Sequence, residues 1–166
     1  MYELKPISRD SVAGALAKAE RYRLLNEPGE AESICRDILE IEPDNQQALI
    51  SLILALTDQI GHNARAFDGA KAMAERLASA YDRAYYAGIA WERRAKARHS
   101  GGGHSANHYA YDWLVKALEL FEQAEHLRSA GNDDALLRWN ACVRYLAAFK
   151  DLVPAPEEAP EAIVSE

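Results

Sequence analysis

Apolar residues recur every three to four positions through most of this chain, which is the period of an amphipathic α-helix. Seven segments carry that period. The first spans about residues 10–25 and stops at Asn26-Glu27-Pro28-Gly29. Pro28 suits a first helical turn, where its missing N–H would have no intrahelical partner. A second helix runs from there to about Ile41, and Pro43 ends it. Asp44, with Gln47 three residues on, reads as an N-cap and capping box for the third helix. That helix covers about residues 45–59 and is apolar almost all round, through Leu49, Ile50, Leu52, Ile53, Leu54 and Leu56. Such a helix requires cover on more than one side.

Further along, a fourth helix is predicted over about residues 65–78. Ser79 and Asp82 cap a fifth that ends near Arg98. Residues 100–105 read Ser-Gly-Gly-Gly-His-Ser, a glycine-rich loop whose backbone entropy favours mobility. The sixth helix is long, about residues 106–129, with Ala110, Trp113, Leu114, Ala117, Leu118, Phe121, Ala124 and Leu127 at helical spacing. Asn132 caps the seventh, and Asp133 and Asp134 sit in its first turn, where carboxylates face free N–H groups. Its predicted stripe is Leu136, Trp139, Val143, Leu146 and Phe149. Residues 154–166 hold three prolines and four glutamates and cannot build a core, so they read as a disordered acidic tail. Residues 1–153 then form a single all-α domain of about seven helices in antiparallel hairpins.

Internal period sharpens that picture. In residues 12–45 a small residue, Ala19, is followed by an aromatic, Tyr22, three positions on. The next helix carries Ala31 and then Cys35, with Ile38 and Leu39 continuing the face and Pro43 closing the unit. This stretch resembles a tetratricopeptide repeat, a 34-residue helix–turn–helix unit. The resemblance departs at Ala15, where the family places an aromatic, and at Lys18, where it places leucine. Both departures suit a capping repeat with one side in water. A second unit fits residues 46–80 more loosely, through Leu49, Leu52 and Leu56, then Ala70, Ala74 and Leu77, with Ile53 where a small residue belongs. A third places Ala84, Ala87, Gly88 and Trp91 on one helix and Ala110, Leu114 and Ala117 on the next, which is too long for a standard repeat. The resemblance covers about residues 12–120. It implies a right-handed superhelix whose concave side holds a peptide or helix of another protein. A helical bundle without true repeats is the alternative.

Charge and composition narrow the functions. The chain has 166 residues, 49% of them apolar and a net charge of −7, an ordinary balance for one soluble core. The charge is uneven. Residues 61–128 carry ten basic and eight acidic groups, whereas both flanks are acidic. Nucleic acid needs a concentrated positive field, so it is not the expected partner. The most apolar stretch, residues 48–56, is too short to cross a bilayer. The opening Met1-Tyr2-Glu3-Leu4-Lys5-Pro6 has no apolar core of a signal peptide. A cytoplasmic protein is expected, with Cys35 and Cys142 as buried free thiols.

Candidate chemistry is sparse. The basic run Glu92-Arg93-Arg94-Ala95-Lys96-Ala97-Arg98 places Arg94 and Arg98 four apart on one helix face. A solvated last turn matched to the helix dipole accounts for such a run. A carboxylate clamp for an acidic partner peptide is the sharper reading, because arginine offers a rigid fork of donors. Tyr85 and Tyr111 stand in aromatic clusters and are further candidates for partner contact. His104, His108 and Asp112, with His99 nearby, offer imidazole and carboxylate at i, i+4 spacing, a weak metal candidate against ordinary exposed histidines. The triple glycine lacks the lysine and hydroxyl residue of a phosphate loop. No cofactor is expected, and no enzyme activity. The leading expectation is a protein-interaction scaffold. A self-associating structural protein, motivated by the apolar third helix, and a small helical metal-binding protein are the alternatives.

Overall fold

A computed structural model describes residues 2–156, the side chain of His104 excepted; the predicted acidic tail lies outside the described residues from residue 157 onward. Among the described residues there are seven α-helices and no strand: α1 Val12–Leu24, α2 Pro28–Ile41, α3 Gln46–Thr57, α4 Ala66–Glu75, α5 Ala80–Ser100, α6 His104–Leu127 and α7 Asp134–Ala148. A 3₁₀ turn, Arg9–Ser11, precedes α1. Each helix packs on its successor, from α1 on α2 through to α6 on α7, and the most extensive pairing is α5 on α6. The short connections fold each helix back on the last, which is the hairpin stack expected from the periodicity. No helix among the described residues is long and apolar enough to cross a membrane.

The centre of the stack is α3. Eight of its twelve residues are buried, among them Leu49, Leu52, Ile53 and Leu56. It touches α1, α2, α4 and α5. The apolar circumference that motivated a self-associating role is thus covered within the chain. Small residues sit where helices approach: Ala19, Ala31 and Cys35 of the first hairpin are fully buried, as are Ala110, Ala117 and Ala124 on α6. Gly88 marks the closest approach. A methyl group there would lie 2.6 Å from the ring of Phe121, itself fully buried on α6.

Helix ends follow local chemistry, with four corrections to the sequence reading. Pro28 opens α2 at its first turn and the Ser79 hydroxyl accepts the Asp82 N–H at 3.2 Å, both as expected. The cap of α3 is Asn45, not Asp44. Its Oδ1 accepts the Ala48 N–H at 2.9 Å while its amide donates to Glu42, and Gln47 closes no box. Asn45 wins because its side chain satisfies both neighbours at once. At α7, Asn132 stands one residue before the N-cap, Asp133, and its Oδ1 accepts the Asp134 N–H at 3.1 Å. The glycine loop is shorter than expected. α5 continues through Ser100 and α6 begins at His104, which leaves Gly101–Gly103. Gly102 and Gly103 adopt φ of 71° and 107°, where a side chain is strained. The stripe of α7 holds in part: Trp139 and Leu146 pack against the core and Leu136 is half-buried. Ala135 and Cys142 face the core, whereas Val143 and Phe149 are exposed. Past α7, Leu152 folds back and is buried against α5, α6 and α7 residues.

Both cysteines are free and buried. Burial pushes the Cys35 thiol up to about 11 and the Cys142 thiol to about 12, from an ordinary value of 9.0. The folded chain then keeps protons that the unfolded chain releases above about pH 9, so the thiols' contribution to stability is constant well below that pH and falls as pH rises through the window to about 11. Urea midpoints measured between about neutral pH and about pH 10.5 are expected to drop only above about pH 9, with a slope of up to about 1.4 kcal/mol per pH unit for each thiol. Replacing Cys142 with alanine should flatten that slope.

A second prediction concerns helix approach. Gly88→Ala improves helix propensity by about 0.5–1 kcal/mol but drives a methyl into Phe121. The overpacking cost of about 1–3 kcal/mol should dominate. Chemical denaturation is expected to show net destabilisation, and Phe121→Leu in the same chain should recover part of it.

Candidate functional site

The C-terminal half of α5 carries the basic run, and its helical pitch sends the cations to two sides. Arg94 turns toward α4 and α6. Its guanidinium carbon lies 4.0 Å from the ring centroid of Phe67 and 4.0 Å from that of Trp113, with Trp91 at 5.5 Å. Phe67 and Trp91 meet edge-on at 4.7 Å, which fixes the box. Each cation–π contact contributes about 0.5–2 kcal/mol as the cation loses water. One turn on, Arg98 is exposed and its guanidinium carbon is 6.0 Å from the Tyr109 ring. Both arginines line a cavity of ≈ 260 Å³ whose floor includes Ile60, Phe67 and Trp113. Among the described residues, neither guanidinium has a hydrogen-bond acceptor or a carboxylate partner.

Other arginines of the same region are engaged. Arg23 on α1 pairs with Asp58 at 2.9 Å, and Arg93 approaches the same carboxylate at 3.7 Å. Arg138 on α7 lies 3.4 Å from Glu92. Lys96 holds Glu92 at 2.5 Å. Glu92 is only 1% exposed, a carboxylate buried within the stack and balanced by two cations. It stands in the register of Ala84, Gly88 and Ala95, the buried stripe of α5. Arg93, Lys96, Arg138, Asp58 and Glu92 line a second cavity of ≈ 350 Å³ between α3, α5 and α7. The two cavities share Ile60, Gly61 and Ala97, so they adjoin across α5.

The structure separates the sequence candidates. Arg94 and Arg98 meet at one cavity. Tyr85 is half-buried elsewhere, 6.0 Å from Phe121 and packed on Tyr81 and Tyr86. Tyr111 is half-buried against the core of α5, α6 and α7. The histidines serve different contacts. His99 joins α5 to the C-terminal segment: its Nδ1 is 2.7 Å from the Tyr145 hydroxyl and its Nε2 3.3 Å from Asp151, which also accepts from Asn107 at 2.8 Å. A proton on Nε2 satisfies both contacts. Burial, and then the charge of Asp151, raise the Tyr145 hydroxyl above its ordinary value. His108 Nδ1 lies 3.0 Å from the Val153 carbonyl, and Asp112 is exposed. No group of three or more metal-ligating side chains converges among the described residues, and the His104 side chain lies outside them.

Sequence reasoning missed the Glu92–Lys96–Arg138 cluster and the Arg23–Asp58–Arg93 bridge. Glu92 on the small-residue stripe of α5 was the available signal. Its partner Arg138 lies 46 positions away and leaves no local trace. Comparison with family models, with curated proteins and with solved structures finds no significant match to this chain.

The buried carboxylate yields an asymmetric prediction. Lys96 and Arg138 are each about one-third exposed, with side-chain exposures of 32% and 33%, so removing Glu92 leaves cations that still reach water. Glu92→Gln should cost about 1–2 kcal/mol. Lys96→Met with Arg138→Met leaves an uncompensated buried charge and should cost roughly 3–5 kcal/mol. Urea unfolding of the three proteins measures the ordering.

Proposed function

We propose that this protein is a non-catalytic binding module, a tetratricopeptide-like stack that docks an acidic peptide segment of a partner protein. One observation carries the proposal: Arg94 and Arg98 face a common cavity with unfilled donors. Arg94 is also held rigid between aromatic rings. A guanidinium keeps five N–H donors in a planar fork that matches a carboxylate. Because the rings already fix Arg94, little rotamer entropy is lost when an anion arrives. The apolar floor of Ile60, Phe67 and Trp113 gives the ligand's carbon atoms a surface beside the charge. The hairpin stack supplies rigid elements on which such a site keeps its geometry, and the local cationic excess attracts an acidic partner although the whole chain is acidic.

A glutamate-rich peptide titrated against the full chain tests this, with tryptophan fluorescence as the readout because Trp113 borders the site. Arg94→Glu/Arg98→Glu is expected to weaken binding by at least ~10-fold, the loss of one or two charge-assisted hydrogen bonds. Helicity by circular dichroism should be retained. Since Arg94 also packs, Arg98→Glu alone serves as the second variant, and it should weaken binding severalfold with no change in urea midpoint. Equal affinity of the original chain and both variants, or no binding by the original chain, would overturn the proposal.

A further inference from the structure

The second cavity lies immediately beside the first, and the two share part of their lining. The shared wall is Ile60, Gly61 and Ala97. Ala97 offers only a methyl group. Gly61 offers no side chain, and a Cβ built there meets no atom within 4 Å, so the space above the ridge is open. On the far side stand Arg93, Lys96 and Arg138, opposed by Asp58 and Glu92. The acids do not cancel the field. Glu92 lines the cavity but is already held by Lys96 and Arg138, and Asp58 is already engaged by Arg23 at 2.9 Å. Counting Arg23, four cations face two carboxylates. The contacts of Arg93 and Arg138 with those acids, at 3.7 and 3.4 Å, are long and leave most of their donors for a ligand.

We infer that the ligand carries two carboxylates, one seated at Arg94 and Arg98 and the second across the Gly61–Ala97 ridge at Arg93, Lys96 and Arg138. This rests on the peptide-docking reading of the first cavity and adds a second subsite, which that reading does not require. The physical consequence is a spacing rule. An extended peptide advances about 3.3 Å per residue, so only some separations between two acidic residues place both carboxylates at once. When both sites engage, the second contact forms at the effective concentration set by the short intervening chain, and affinity exceeds that of either contact alone.

Peptides of serine and glycine with one glutamate, or with two glutamates separated by one to four residues, test this on the full chain. Binding is followed by tryptophan fluorescence and, for weak probes, by NMR shift perturbation. At one spacing the two-glutamate peptide is expected to bind about tenfold or more tighter than the one-glutamate peptide. Arg93→Gln should abolish that gain and leave the one-glutamate affinity within about twofold. Its removal spares the fold, because Asp58 keeps Arg23. Lys96→Gln, which leaves Arg138 on Glu92, is the second variant and should behave alike. A uniform gain at every spacing, or a gain that survives both variants, would overturn the second subsite while one-glutamate binding at Arg94 and Arg98 stands. Failure of every probe to bind would remove both the subsite and the docking reading.

Discussion

The architecture depends on covering α3. A twelve-residue helix with leucine and isoleucine on nearly every side is unstable in water unless other elements enclose it. Four helices of the same chain, α1, α2, α4 and α5, do so. The exit of α3 is equally constrained. The Thr57 hydroxyl donates to the Leu54 carbonyl, and the buried Gln59 amide donates to Ala55 and to Glu32. With those polar groups satisfied, the chain can turn at Ile60 and Gly61 directly beside α5 without leaving orphaned donors in the core. The candidate site is therefore a by-product of burying α3: the turn that ends it becomes the ridge between the two cavities.

α5 acts as the partition. Its buried stripe, Ala84, Gly88, Glu92 and Ala95, packs inward, and the alternation of 3.6 residues per turn then sends Arg94 and Arg98 one way and Arg93 and Lys96 the other. Placing an acid on the buried stripe has a cost in desolvation, and two cations offset it. The arrangement has a structural benefit beyond charge. Glu92 reaches both Lys96 on its own helix and Arg138 on α7, so it helps to select one register for α7, together with the packing on α6, the His99–Tyr145 contact and the returning Leu152.

What was legible in the residues was local. Seven helices could be placed because their apolar period and their punctuation, Pro28, Pro43, Ser79 and the glycines, act over a few residues. The small positions Ala19, Ala31 and Cys35 could be assigned to close helix contacts, and all three are fully buried. Errors arose where two neighbouring polar residues compete, as Asp44 and Asn45 do for one cap, because the choice depends on the Glu42 contact. The pair Arg94 and Arg98 could be found from i, i+4 spacing. That Arg94 would be clasped by Phe67 and Trp113 could not, since those rings come from α4 and α6 and only the stacking order brings them together.

In the docking role proposed above, Arg94 and Arg98 would divide the work of recognition. Like charges one turn apart repel, and a helix C-terminus relieves part of that repulsion through its exposed carbonyls. The remainder persists until an anion arrives, so ligand binding gains both a new attraction and the release of an existing conflict. Arg94, clamped and half-buried, supplies direction at small entropic cost. Arg98, exposed and bordered only by Tyr109, can adjust to the ligand but must lose rotamer freedom to do so. A fixed cation beside an adaptable one lets the site hold a carboxylate firmly while tolerating variation in the chain that carries it. That combination would suit the proposed scaffold, whose ligand is recognised and released unchanged: the rigid cation is set in an aromatic box and not in a network of paired charges.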